Sequence, residues 1–325
     1  MSKRVPAQEQ RSVDISVIIA TRNRAQSLKD TLVSLAIQET EGRFHYEVVV
    51  VDNGSTDETK SVVDMMRRTM PVPLRYLYEG RQGKPWAMNR ALAEAHGTFF
   101  VLTDDDVVVT PRWILAFWRC FTEEGADAIG GRTRPQWLGA RPEWLTDELV
   151  MHIGSLACMD HGPTRQRGRY AWAGANMALR RQLVERLGGF DVRTERASDT
   201  EYFFRCLRAK ALIYYEPEAL AYHKVGPERL TLTFFREWRR INGYYHAYLP
   251  PWRKYHLVTL MPVGWYRELL SWVGEWIVGT LTEGPWGERF RCELMLRDCW
   301  YQWLHRLQMW PRWCATVATG RSYLP

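Results

Sequence analysis

What the 325-residue chain lacks narrows its class first. Its six cysteines, Cys120, Cys158, Cys206, Cys292, Cys299 and Cys314, include no CxxC pair and no Cys/His cluster at zinc spacing. Neither a structural zinc site nor a disulfide framework is therefore expected. Thiols used this way fit a reducing compartment, and the polar residues after Met1 carry no apolar signal-peptide run. A cytoplasmic protein is expected. No charge-free apolar stretch reaches the roughly 18 residues that a transmembrane helix needs. Neither GxGxxG nor the Walker-type GxxxxGKS/T follows the first two apolar runs, which leaves the ordinary dinucleotide fingerprint and the P-loop without support. The formal net charge of +7 favours anionic partners. No RNA- or DNA-binding signature accompanies it, so nucleotides or phospholipid surfaces are expected and nucleic acid is not.

What is present centres on FFVLTDDDV, residues 99–107. Its apolar start reads as a strand buried on both faces. Side chains alternate along an extended chain, so Asp104 and Asp106 are expected on one side of the strand's end. Two carboxylates that close repel each other, and one must stay protonated unless a cation sits between them. A hard divalent cation resolves the repulsion with oxygen ligands, and phosphate oxygens can complete its shell. The competing reading is a solvated turn ahead of a helix starting near Pro111.

Upstream, DISVIIA (14–20) and YEVVVV (46–51) read as buried strands, each followed by a helix. The first helix carries Leu28, Leu32 and Leu35 at helical spacing. Ser55 with Glu58 reads as a capping box that starts the second. This β-α-β-α order predicts a parallel sheet covered by helices, with ligands at the carboxyl ends of its strands. Asp52 falls at such an end and suits a ribose hydroxyl or base N–H, or else an N-cap or Asx turn. A third strand is expected over 74–78. Lys84, between Gly83 and Pro85 at a predicted helix start, suits an anion or is merely solvated. A short strand is expected over 126–131. Residues 132–170 show no period and read as an irregular segment that covers a site or reaches a partner. A helix is predicted over 200–210 with Ser198 and Asp199 at its start, where Asp199 is either a cap or a general base. His223 closes a predicted strand and is read as structural or as a ligand.

Seven stretches run in order across residues 13–225: SVIIATRNRAQSLKDTLVSL, VVVVDNGSTDET, GKPWAMNRAL, VLTDDDVVV, AGANMALRR, GGFDV with ASDTEYFFR, and YEPEALAYHKV. As an ordered set they resemble the family-2 glycosyltransferases, inverting GT-A enzymes that use nucleotide-sugar donors. The resemblance implies an α/β fold, a Rossmann-like nucleotide-binding GT-A sheet over 13–228; the polar residues 1–12 before it are expected to be disordered, and 229–325, beyond the match, to form a helical extension. It implies that Asp52 binds the nucleoside and that Thr21 and Arg22 lie along base and ribose. Lys84, Asp104 and Asp105 would contact the donor's nucleotide. Asp104 and Asp106 would hold Mn²⁺ or Mg²⁺, with His223 beside the metal or the diphosphate, and Asp199 would be the general base. Two positions depart from the family's pattern. Arg22 stands where a Tyr would stack on the base, and Ser198 replaces the first carboxylate of a Glu-Asp pair.

The partners so implied are a nucleotide-diphosphate sugar, a UDP-sugar first among them, and a carbohydrate or lipid-linked acceptor in polysaccharide or glycoconjugate assembly. Two other classes compete. A sugar-phosphate nucleotidyltransferase would want a Gly-rich loop after the first strand, where Thr21, Arg22, Asn23 and Arg24 stand. A non-catalytic nucleotide-sugar-binding protein would have lost the acidic residues. Residues 231–325 hold ten of the sixteen tryptophans, with Arg scattered among them. Residues 234–240 read as an amphipathic helix, Pro250-Pro251 as a break, and 256–281 as the most apolar region, interrupted by Arg267, Glu268 and Glu275. Those charges argue against spanning, while Trp and Arg suit peripheral contact with an anionic membrane. The competing reading is a helical extension packed on the rest of the chain or on another subunit.

Overall fold

The computed structural model describes residues 13–153, 155–168, 172–194, 196–246, 263–282 and 284–319. The expected disorder of residues 1–12 and the break at Pro250-Pro251 lie outside the described residues. The chain begins with β1 (Ile15–Thr21), α1 (Ala25–Ala36), β2 (Tyr46–Asp52), α2 (Thr59–Met66), β3 (Leu74–Tyr78) and α3 (Lys84–Glu94). It continues through β4 (Phe99–Asp104), β5 (Val107–Val109), α4 (Trp113–Glu123), β6 (Ala128–Trp137), α5 (Asp147–Ile153) and β7 (Gln166–Arg167). Then follow β8 (Asn176–Arg180), α6 (Arg181–Leu187), α7 (Ser198–Arg208), β9 (Ile213–Val225), α8 (Leu232–His246), α9 (Val263–Leu281) and α10 (Trp286–Thr319).

The sheet order is β3-β2-β1-β4-β8-β6-β9-β5, with β7 paired to β9. β1 pairs in parallel with β2 and β4, and β2 with β3, whereas β8 runs antiparallel to β4 and β6. β1 and β2 are rich in Val and Ile and are buried along nearly their whole length, as strands covered on both faces are. α1 turns Leu28, Leu32 and Leu35 inward at helical spacing. The parallel register sets Thr21 against Asp52 and Ala20 against Asp104. The polar ends of three strands therefore meet at one edge of the sheet, where open α/β sheets take their ligands.

By compactness the chain forms two units. The first comprises residues 1–132, 161–190 and 209–221, and the second 133–160, 191–208 and 222–325. In the first, Trp113, Phe117 and Phe121 of α4 are fully buried. In the second, Leu149, Val225, Phe235, Phe290 and Leu294 share a core. The Trp144 ring meets the rings of Phe235, Trp286 and Phe290 at 5.6, 5.5 and 5.7 Å. Among the described residues Cys120, Cys158, Cys206, Cys292 and Cys299 are free and buried.

Three local expectations need correction. The capping box does not form. α2 starts at Thr59, and the Ser55 hydroxyl instead accepts the Asn23 N–H at 2.9 Å. Asp57 takes over, accepting from Thr59 N at 3.1 Å and from Ala25 N at 3.0 Å. A partner 32 residues away in sequence thus outcompetes the local cap. Residues 132–170 are not uniformly irregular, since β6 continues to Trp137 and α5 and β7 follow. These elements are short, and β7 takes its pairing partner from a strand far along the chain, so no period marks them in the sequence. Nor does His223 close its strand, because β9 runs on to Val225.

One buried amide ties distant segments of the first unit. Asn176, fully buried, accepts from Trp113 Nε1 at 2.8 Å and donates to the carbonyls of Arg132 and Ala219 at 2.8 and 2.9 Å. Asn176→Ala leaves a buried indole N–H and two carbonyls without these bonds. Destabilisation of roughly 3 kcal/mol is expected, read as a shifted urea midpoint with an unchanged slope.

Candidate functional site

The site is built on the carboxyl edge of β1, β2 and β4 in the first unit. β4 ends at Asp104, and the chain turns at Asp105 and Asp106 before β5. The extended alternation expected for Asp104 and Asp106 is therefore replaced by a turn. The turn still leaves one carboxylate oxygen of each residue within 4.8 Å of the other. Two oxygens bound to one hard cation at about 2.0–2.6 Å lie at most about 5 Å apart, so this pair fits a divalent ion.

Lys84, Thr21 and Arg24 meet the three carboxylates of the run. Lys84, the first residue of α3, places its ammonium on Asp104. Asp105 accepts from Thr21 Oγ1 at 2.7 Å and from the Arg24 guanidinium at 3.1 Å. The same Arg24 nitrogen reaches Asp106 at 2.6 Å. Sequence reasoning missed Arg24, because nothing local marks it and its partners lie about eighty positions on. Burial, reinforced by the charges of Asp106 and Asp104, pushes the Asp105 carboxyl up to about 6, against the pull of Arg24 and Thr21.

Asp52, buried at the end of β2, accepts the Ser55 N–H at 2.7 Å and the Tyr76 hydroxyl at 2.7 Å. The first bond reaches the N–H three residues on, not the two of an Asx turn, and the second oxygen is held by a tyrosine that the sequence did not flag. Each carboxylate oxygen keeps a further acceptor position for a ligand. Arg22 is exposed on the loop after β1. Asn23, at φ 53°, fastens that loop to the one after β2, its Oδ1 accepting from Thr56 N at 2.7 Å. Asn53 ties the loop after β3 to the same edge: its Nδ2 donates to the carbonyls of Glu79 and Arg81 at 3.0 and 2.7 Å, and its Oδ1 accepts from Gly83 N at 2.9 Å. Gly83 sits at φ 122°, a conformation suited to glycine, directly before α3. On the same loop Arg81 stacks over Trp86 at 4.0 Å, and its hydrogen bonds hold Glu79 down at about 2.

Two predicted site residues belong to the second unit. Asp199 is half-buried in the first turn of α7, its Oδ1 accepting from Thr200 N at 2.8 Å. His223 is buried on β9, its Nε2 3.4 Å from the Arg229 guanidinium.

A family model described as Glycosyl transferase family 2 matches residues 16–188, just over half of the chain. The chain belongs to that family. A glucosyl-dolichyl phosphate glucuronosyltransferase of Haloferax volcanii is 27% identical over 192 residues, which cover 57% of this chain and 58% of that one. A probable glycosyltransferase, YdaM of Bacillus subtilis, is 25% identical over 248 residues, covering 71% and 55%. The chain thus spans a little over half the length of these relatives. Among solved structures, the mannosyltransferase PcManGT of Pyrobaculum calidifontis, in complex with GDP-Man and Mn²⁺, superposes with a TM-score of 0.57 at 21% identity, covering 96% of this chain and 80% of that one. The fold is therefore the GT-A fold.

Asp105 makes the site's stability depend on pH. Folded, Asp105 keeps its proton up to about pH 6, whereas an unfolded carboxyl loses it near 4. Its contribution to stability therefore falls as pH rises between those values. Removing Arg24 should extend that loss upward, because a buried charge then has no cation. The Arg24 side chain is 42% exposed, so the effect is screened. Arg24→Ala is expected to cost about 1–2 kcal/mol near neutral pH and less at about pH 5, where Asp105 takes up its proton. Urea denaturation of both proteins at the two pH values checks it.

Proposed function

We propose that this protein is an inverting glycosyltransferase that moves a sugar from a nucleotide-diphosphate sugar to a hydroxyl acceptor. The observation that carries the reading is the shared edge of β1, β2 and β4. It presents Thr21, Asp52 and Asp104 together, with Asp104 and Asp106 close enough to share one ion. Membership of glycosyl transferase family 2 supports it, as do a relative named for glucuronosyl transfer and a GT-A neighbour solved with GDP-Man and Mn²⁺.

In this reading Asp52 accepts hydrogen bonds from the nucleoside, and Thr21 and Arg22 lie along base and ribose. Arg22 stacks through its guanidinium. Asp104 and Asp106 would hold Mn²⁺ or Mg²⁺, and the family resemblance adds His223 as a nitrogen donor. When bound, such an ion offsets the charge of the diphosphate. Lys84 adds positive charge on the same side. Asp105 acts through Thr21 and Arg24, holding the loop that faces the nucleotide. Asp199 takes the proton of the acceptor hydroxyl as its oxygen bonds to the anomeric carbon, while the bond from that carbon to the diphosphate oxygen breaks. A single displacement with the base opposite the leaving group inverts the anomeric centre. A UDP-sugar is the first donor to test, with GDP-mannose as the comparison that the solved neighbour suggests. The acceptor is taken to be a carbohydrate or lipid-linked sugar, met in the cytoplasm at a membrane surface.

Calorimetry with nucleotide diphosphates, with and without Mn²⁺, tests the donor side. Binding is expected to strengthen with the ion in the wild type and to show no ion dependence in the Asp104→Asn, Asp106→Asn double variant. Equal wild-type affinity in Mn²⁺ and in EDTA would count against the reading. On the chemical side, Asp199→Asn keeps shape and capping ability. It should lower turnover by about 10²–10⁴-fold while donor affinity and melting temperature stay near wild type. A variant turning over at the wild-type rate, in an assay limited by chemistry, removes Asp199 from the mechanism.

A further inference from the structure

Asp52 differs from the other carboxylates at the shared edge of β1, β2 and β4. Asp104, Asp105 and Asp106 each meet a cation, Lys84 or Arg24. Asp52 is 3% exposed and forms no ion pair among the described residues. It receives two neutral donors instead, the Ser55 N–H on Oδ1 and the Tyr76 hydroxyl on Oδ2, both at 2.7 Å. A carboxylate offers about four acceptor positions. Two of them are used here, and a buried acceptor left short of partners costs free energy. Asp52 is thus a desolvated carboxylate, already oriented, that can still accept from a ligand.

The two bonds divide the work of orienting it. Ser55 follows Asp52 in the same loop and supplies a backbone N–H, which almost any residue at that position would supply. Tyr76 lies on β3, the edge strand of the sheet, and is half-buried. The register sets Asp52 opposite Tyr78, so Tyr76 is its diagonal neighbour on the same face. The terminal torsion of an aspartate is soft. With one oxygen tied to its own loop and the other to a neighbouring strand, the plane of the carboxylate is fixed, and with it the direction of the remaining lone pairs. Burial, then the bond to Asp52 and its charge, push the Tyr76 phenol above its ordinary range, so near neutral pH it keeps its proton and donates. A cation in its place would also hold Asp52, but it would compete for the charge that attracts a ligand N–H or O–H. We propose that Tyr76 is the positioning residue of the nucleoside site: its hydroxyl holds Asp52 in the orientation that accepts an N–H of the base or a hydroxyl of the ribose. The proposal rests on the sugar-transfer reading, in which Asp52 takes the nucleoside.

Calorimetry tests it with UDP or GDP, whichever the wild type binds more tightly, in Mn²⁺ and in EDTA. Tyr76→Phe removes only the hydroxyl and should weaken binding about tenfold. The loss should be the same with the ion and without it, because Asp104 and Asp106 are untouched; a general loosening of the site would change the ion dependence as well. Asp52→Ala should weaken binding at least as much. Adding Tyr76→Phe to Asp52→Ala should bring little further loss, since residues that act through one contact are not additive. The proposal fails if Tyr76→Phe binds like the wild type while Asp52→Ala binds weakly, an outcome that leaves the nucleoside role of Asp52 standing. It fails equally if the two losses add in the double variant, because Tyr76 then acts without Asp52. If Asp52→Ala binds like the wild type, or the wild type binds neither nucleotide, the reading of the nucleoside site falls and the proposal falls with it.

Discussion

Three consecutive carboxylates at the end of a buried strand are the constraint on which the site depends. Crowded acidic groups repel, and partial burial strengthens the repulsion by lowering the local dielectric. The fold answers the three charges with donors from two segments. Arg24 spans Asp105 and Asp106, Thr21 holds Asp105, and Lys84 meets Asp104. Because Thr21 and Arg24 belong to the loop after β1 and Lys84 opens α3, neutralising the run also fixes where those two segments lie. The backbone register then brings Asp52 to the same edge. Stability and site geometry are set by one group of contacts.

The loops that carry these residues are held by side-chain amides more than by backbone pairing. Asn23 and Ser55 join the loop after β1 to the loop after β2, and Asn53 joins that loop to the one after β3. Asp57 secures the starts of α1 and α2 together. A short Asn or Asp side chain can bond backbone groups at close range and tolerates turn conformations, which suits it to such splices. The result is a rim of three loops in which each splint depends on a neighbouring loop. Such a rim keeps donors in place for an anionic ligand without ordering them at the moment of binding.

The parts of this architecture that were legible beforehand are those written in local pattern. The Val- and Ile-rich runs foretold β1 and β2, the Leu28, Leu32, Leu35 spacing foretold α1, and the position of Asp52 and Asp104 after apolar runs foretold their place at strand ends. What stayed hidden depends on contacts between residues far apart in sequence. Arg24 is an ordinary loop arginine until β4 is laid beside β1. Tyr76 reads as one more strand residue until its hydroxyl reaches Asp52. The Ser55–Glu58 box is a sound local motif that lost to a tertiary partner. The segment over 132–170 failed for a related reason: β7 is two residues long and pairs with β9, so no periodicity could reveal it.

The tryptophan-rich C-terminal part shows why composition and placement must be weighed separately. Its abundance of Trp and Arg suits a membrane interface, yet several of these rings make contacts within the second unit. Trp286 stacks on Phe290, Trp265 is buried against Cys299 with Trp303 packed beside it, and Trp272 lies near the Arg291 guanidinium. These rings do the work of a helical core, and their number alone would argue equally for a helical extension packed on itself. On α9, Trp265 and Leu269 turn toward Cys299 and Trp303 of α10, while Trp276, Ile277 and Val278 are exposed. Composition counts the rings, and only placement separates those that build the helical core, such as Trp265, from those left at the surface, such as Trp276 and Trp300.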